Sequence, residues 1–228
     1  MSNPFLSIVT RCCQRPVKLA RNIKSVAAQK CHDLEQVFLV DRERRGLLYA
    51  NQQFERHVDA PRGQYIYHLD DDGFLPNSQF VTAVKALAVK ANYPDVILVR
   101  VAGGRTGHKL LPPPEVWGLN WERGERPAFW IGCGYCFAVK SEVWQANVWR
   151  YHHDQGKTWK TGGDWKFMTG LIQLGVGVVR LDSNRRGGDG QRGRCAVEKC
   201  KPGWFERVVE TYNMERVGED VWRIDYSG

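Results

Sequence analysis

No G-x-x-x-x-G-K-S/T occurs in the 228 residues, and no G-x-G-x-x-G directly joins a predicted strand to a predicted helix. These gaps remove the main support for a P-loop nucleotidase and for a dinucleotide-binding oxidoreductase. Long hydrophobic runs are missing too. The longest apolar stretch, Leu171 to Val179, carries Gln173 and two glycines and is too short to span a bilayer. Asn3-Pro4 lead straight into a strand-like run, so no secretory apolar region is expected after Met1. Seven cysteines at irregular spacing supply no disulfide framework. No internal repeat is visible. The expectation is a protein without a membrane span, in a reducing, cytoplasmic setting.

What is present is an ordinary globular composition, 43% hydrophobic and 25% charged. The formal net charge of +8 and pI of about 9.2 favour anionic partners: a nucleotide diphosphate, a nucleic acid or a lipid head group. Basic residues are spread along the chain except between Arg185 and Lys201, where six stand against two acidic ones. A nucleic-acid binder gathers its basic residues on one face, so no stable nucleic-acid partner is expected.

Hydrophobic patterning predicts alternating strands and helices. Phe5–Thr10, Val37–Val40, Tyr65–Leu69 and Val96–Val101 are short apolar runs of the kind that form buried strands. Helical spacing of Leu19, Ile23, Val26 and Ala27 follows Pro16, and Ser78–Lys90 repeats the pattern. A polar stretch from Arg42 to Arg62 reads as irregular. Beyond a Pro- and Trp-rich loop (103–126), a strand is predicted at Tyr135–Val139 and helices at Ser141–Val148, Trp165–Leu174 and Trp204–Met214, with a strand at Gly177–Leu181. Residues 183–194 carry almost no apolar content and read as mobile. The alternation predicts a doubly wound α/β sheet, whose ligands sit beyond the carboxyl ends of its strands. Asp41 and the triplet Asp70-Asp71-Asp72 both follow strand ends, on that edge.

Three adjacent carboxylates repel one another, and burial raises the pKa of each unless a cation compensates. A hard divalent ion, Mn²⁺ or Mg²⁺, takes carboxylate oxygens and leaves positions for phosphate. An acidic turn ending at Asp72-Gly73 is the plain alternative. Cys133-x-x-Cys136 with Cys195 and Cys200 has zinc-like spacing, but the first pair overlaps a predicted buried strand, so these are read as core or incidental cysteines. His108, His152 and His153 have no spacing that recruits them to a metal.

From Phe5 to about Leu181 the sequence resembles glycosyltransferase family 2, the inverting enzymes of the GT-A fold. FLSIVTRCCQRP is similar to the family's opening strand and loop, and Ser25 and Gln29 to its S-x-x-x-Q. VFLVD resembles the second strand with its uracil-contacting aspartate, here Asp41. GQYIYHLDDDGFLP resembles the L-D-x-D-D block, IGCGYCFAVKSEVW the glycine-containing segment, and TGGDWKFMTGLIQLG the E-D segment whose aspartate is the base. Cys12-Cys13-Gln14 replaces a small polar residue, Tyr and Asn. Arg42-Glu43 and Gly163 also depart from the family pattern, the last standing where Glu is usual.

The resemblance implies a single GT-A-like domain, a mixed, mostly parallel Rossmann-like sheet flanked by helices. Residues 1–101 would bind the nucleotide sugar and 102–228 the acceptor, with a basic segment at 183–201 as a lid. It implies transfer from a nucleotide-diphosphate sugar, a UDP-sugar, to the hydroxyl of a carbohydrate or other acceptor. Thr10, Arg15, Asp41, Asp70, Asp71 and Trp130 would bind substrate, with Trp117 and Trp121 as further stacking faces. Asp72 and Asp70 would hold Mn²⁺ or Mg²⁺, and Asp164 would be the catalytic base. A nucleotidyltransferase, or a non-catalytic protein that binds nucleotide sugar or nucleic acid, is the alternative.

Overall fold

The computed structural model describes residues 3–103, 109–152, 162–181 and 203–227. Cys195, Cys200, His108, His153 and the Arg185–Lys201 segment lie outside them.

The first half alternates strand and helix, with one helix, Leu47–Arg56, where an irregular stretch was expected. Strand β1 (Leu6–Cys12) leads to helix α1 (Pro16–Ala27), β2 (Leu34–Val40), α2 (Leu47–Arg56), β3 (Tyr65–His68), α3 (Phe80–Lys90) and β4 (Val96–Val99). Short strands β5 (Val101–Gly103) and β6 (Lys109–Leu111) form a separate ribbon. The chain continues through α4 (Pro114–Trp117), β7 (Phe137–Lys140), α5 (Ser141–Asn147), α6 (Gly163–Gln173), β8 (Val178–Leu181), α7 (Trp204–Tyr212), β9 (Glu215–Gly218) and β10 (Val221–Asp225).

Eight strands form one sheet in the order β8-β4-β7-β3-β1-β2-β10-β9. β1 runs parallel to β2 and β3, and β4 parallel to β8. β7 enters antiparallel between β3 and β4, and β10 runs antiparallel to β2. The sheet is therefore mixed, with helices on both faces. Strand alternation divides the core: Leu6 and Ile8 point to the face packed by Val26, Val81 and Val84, while Val9 points to the face built from Phe137, Trp144 and Phe167. α7 packs over the outer end, where Phe205 meets Phe38 and Trp222.

Several elements differ from the sequence reading, among them the β9–β10 hairpin and the short β6 and α4 within the expected loop. Residues 42–62 hold α2, whose inward side buries Asn51, Gln53 and Phe54 while Leu47 and Leu48 are exposed. A helix that buries amides carries no apolar period to read. The predicted strand 96–101 is two, because Val99 ends the main-sheet pairing and Val101 begins the ribbon. The strand predicted from Tyr135 begins at Phe137, after a 3-10 turn at Gly134–Cys136. No helix among the described residues is long and apolar enough to cross a membrane.

Candidate active site

β1 and β3 are parallel neighbours, so their carboxyl ends lie side by side. Pairing continues past β3: Leu69 N–H donates to Val9 O at 3.0 Å and Asp71 N–H to Arg11 O at 3.2 Å. The aspartate triplet is thus tied to the end of β1. From beneath, the buried Asn22 of α1 donates to the carbonyls of Asp70 (3.0 Å) and Gly73 (3.1 Å). Its own oxygen accepts from Gln36 of β2 at 2.6 Å. The Ser25 hydroxyl accepts from Leu75 N–H, and Gln29 donates to Asn77 O and accepts from Val81 N–H. The S-x-x-x-Q pair therefore fixes the chain that follows the triplet. Backbone polar groups that would otherwise be orphaned in a buried turn are satisfied by α1.

The three carboxylates have different surroundings. Asp70 is gripped by the Arg11 fork, Nε to Oδ1 at 2.7 Å and Nη2 to Oδ2 at 2.9 Å, and by His68 Nε2 at 2.8 Å. Burial pushes the Asp70 carboxyl up, but Arg11 and His68 outweigh it and hold the group well below the usual carboxylate range. Burial pushes the His68 pKa down, so the ring is neutral and its Nε2–H donates to Asp70. The third Arg11 nitrogen donates to Asn51. Asp71 points inward, fully buried, accepting Cys13 N–H at 2.9 Å and standing 2.6 Å from Arg15 Nη2 outside hydrogen-bond geometry. Burial pushes its carboxyl up to about 7. Asp72 faces outward, with Oδ2 on Arg15 Nη1 at 2.8 Å and Oδ1 accepting the Tyr135 hydroxyl at 3.1 Å.

The charge problem posed by the triplet is thus met in this structure by Arg11 and Arg15. The donor chemistry still suits a hard cation, because Asp72 carries carboxylate oxygens at a partly open edge, its side chain 18% exposed. Both oxygens of Asp70 are committed to Arg11 and His68 and those of Asp72 to Arg15 and Tyr135, so a cation would have to displace one of these partners. Among the described residues no group of three or more His, Cys, Asp or Glu side chains is placed to hold a metal. A cation here would need most of its ligands from the substrate.

Asp164 lies in the first turn of α6, and its Oδ2 accepts Gly134 N–H at 2.8 Å. It is close enough to Arg11 and His68 to raise the pKa of both. Gly134 joins the two sides: a Cβ there would stand 2.4 Å from His68 Nδ1. Only glycine allows the backbone this approach while its N–H holds Asp164. Gly163, in the place of the family's usual Glu, is equally enclosed, since a Cβ would meet Tyr151 O at 2.5 Å and Asn51 Nδ2 at 2.7 Å. Asn51 occupies that space and reaches Arg11.

Other predicted residues fall elsewhere. Thr10 is fully buried, its hydroxyl accepting from Gln36 at 2.8 Å, so it shapes the end of β1 from inside rather than lining an open pocket. Trp130 is fully buried against Phe137, and no face of its indole is open to a sugar. Trp121 is buried as well, its indole N–H on Val116 O. Asp41 lies at the end of β2 with its carboxylate turned to its own loop, accepting Glu43 N–H at 3.2 Å and Gly46 N–H at 3.3 Å. Arg11, Asn22, Asn51, His68, Gly134 and Tyr135 were not singled out by sequence. A charged residue interrupting an apolar strand was the available signal for Arg11, and a histidine directly before the triplet was the signal for His68.

No family model matches the sequence, and no curated protein matches it. Solved structures do. S. aureus TarS in complex with UDP superposes with a TM-score of 0.58 at 13% identity, over 78% of this chain and 58% of that one. A longer S. aureus TarS structure gives 0.59 at 12% identity, over 79% of this chain and 35% of that one. A mannosyltransferase, PcManGT from Pyrobaculum calidifontis, in complex with GDP-Man and Mn²⁺, gives 0.50 at 15%, over 78% and 55%. The chain spans less than two thirds of the length of each. Identities this low establish the fold alone: the mixed, mostly parallel sheet of the GT-A type.

Proposed function

We propose that the chain is a glycosyltransferase that moves a sugar from a nucleotide diphosphate, a UDP-sugar, to an acceptor hydroxyl with inversion. One observation carries the reading: a preorganised carboxylate–guanidinium cluster at the ends of β1 and β3 faces a separate carboxylate, Asp164, across Gly134. The edge formed by β1, β2 and β3 would take the nucleotide, and residues 102–228 the acceptor, a carbohydrate or other hydroxyl compound.

In this reading Asp164, oriented by Gly134 N–H, takes the proton of the acceptor hydroxyl. The acceptor oxygen attacks the anomeric carbon as the bond to the diphosphate oxygen breaks, and attack from the opposite face inverts the centre. Arg15, at the outer edge of the triplet, is placed to pair with the leaving diphosphate. Asp70, locked by Arg11 and His68, presents a fixed acceptor edge to the nucleotide. Asp72, with Asp70 behind it, would hold Mn²⁺ or Mg²⁺. A bound ion supplies Lewis-acid stabilisation of the diphosphate.

The test is a panel of nucleotides and nucleotide sugars, read by thermal shift and by sugar release, with and without Mn²⁺. The expected result is stabilisation by UDP or another nucleoside diphosphate and slow release of its sugar. Absence of stabilisation by every nucleoside diphosphate, at any Mn²⁺ concentration, would overturn the reading.

A further inference from the structure

We propose that Arg15 is a resident cation of the triplet that holds Asp72 while no nucleotide is bound and yields it only when metal and diphosphate arrive together. The proposal rests on the nucleotide-diphosphate reading above and adds how loading of the site is controlled.

Arg11 and Arg15 bind the triplet in different ways. Arg11 is clamped at three nitrogens, two on Asp70 and one on Asn51, and lies deep against Phe54. Arg15 reaches the cluster from the turn before α1 and spans two carboxylates, with Nη1 on Asp72 at 2.8 Å and Nη2 2.6 Å from Asp71. Arg11 is committed to Asp70, whereas Arg15 occupies the Asp72 carboxylate that an incoming cation would need.

Charge balance sets the order of events. Asp70, Asp71 and Asp72 stand against Arg11 and Arg15, leaving one net negative charge if all three are ionised. A divalent ion entering alone would crowd Arg15 and turn the cluster positive. A divalent ion arriving with a doubly negative diphosphate restores the original balance, and Arg15 then has phosphate oxygens to pair with. The described residues also offer no cluster of three metal-binding side chains to hold the ion. Metal and nucleotide should therefore bind with strong positive coupling, and Arg15 should be its source.

The experiment is titration of free Mn²⁺ by electron paramagnetic resonance, with and without UDP, on the wild type, Arg15→Gln, Arg15→Lys and Tyr135→Phe. For the wild type, UDP should tighten Mn²⁺ by at least about tenfold, within the usual range of coupling between sites. Arg15→Gln should bind Mn²⁺ alone more tightly than the wild type and lose most of the UDP effect. Arg15→Lys, which keeps the charge, should stay near the wild type, and Tyr135→Phe, which changes no charge, should leave the coupling intact. The proposal is overturned if Arg15→Gln, folded by its melting curve, binds Mn²⁺ alone no better than the wild type. Should Arg15→Gln not fold, equal Mn²⁺ affinity of the wild type with and without UDP overturns it. UDP that fails to bind under any condition, as read by the thermal-shift panel, instead counts against the nucleotide reading, and the Mn²⁺-only comparison still tests Arg15.

Discussion

Residues 70–72 and Asp164 are both acidic, yet the fold treats them in opposite ways. The triplet is held by two guanidiniums, a histidine, a tyrosine and the Cys13 amide, on a loop pinned from beneath by Asn22. Asp164 rests on the Gly134 N–H at the mouth of a helix. The first arrangement is rigid and electrostatically balanced, as suits a group that must hold a polyanion in one place. The second ties a carboxylate to one backbone amide of the facing loop. In the proposed reading the buttressed group binds the donor and Asp164 takes the acceptor's proton.

Removing the buttress should have the largest effect. Arg11→Ala strips both oxygens of Asp70 of their fork and leaves a buried charge, at a cost of about 3–5 kcal/mol of stability. Chemical denaturation measures it, and a loss below about 1 kcal/mol would mean that Asp70 is not locked. Gly134→Val attacks the contrast from its junction. The new Cβ drives into His68 Nδ1 and displaces the amide that holds Asp164. Overpacking of this kind costs about 1–3 kcal/mol, and donor binding and turnover should fall together.

Asp71 offers a pH test of the inner carboxylate. Its folded pKa, about 7, lies above the unfolded value near 3.9, so its contribution to stability is complete below that value and is lost as pH rises through about 7. In Asp71→Asn the decline in melting temperature between pH 4 and pH 8 should be shallower than in the wild type. An unchanged slope would show that Asp71 does not titrate there. The smallest change in function is expected from Trp130→Phe, which keeps an aromatic in a closed core but opens a cavity at a cost of about 1–3 kcal/mol of stability. Its acceptor KM should match the wild type, because no face of Trp130 reaches substrate.

The sequence made the scaffold of the first half legible because β1, β2, β3 and β4 each contain a short apolar run and α1 and α3 carry a helical period. α2 was hidden because its buried side is Asn51, Gln53 and Phe54. The β9–β10 hairpin was hidden because its turn uses Asp220 at a positive φ of 54° where glycine is the usual signal, and because only Val221 and Trp222 of β10 are buried. The triplet and Asp164 stood out as acids at element ends, and the structure sets both near Arg11. Their partners did not stand out, since Arg11 and Asp70 are 59 residues apart and Gly134 and Asp164 are 30 apart. Pairings set by sheet order cannot be read from local spacing. Thr10 and Trp130 were misplaced for the same reason: residue type suggested contact with substrate, whereas strand alternation and packing turned both inward.

The most direct test of this division of labour is Asp164→Asn, assayed for UDP affinity by calorimetry and for sugar transfer under saturating donor. The account predicts a UDP Kd within about twofold of the wild type, since the donor cluster is untouched, and a kcat lower by about 10²–10⁴-fold from loss of the base. Transfer that survives the substitution, or UDP affinity that falls as far as turnover, would contradict it.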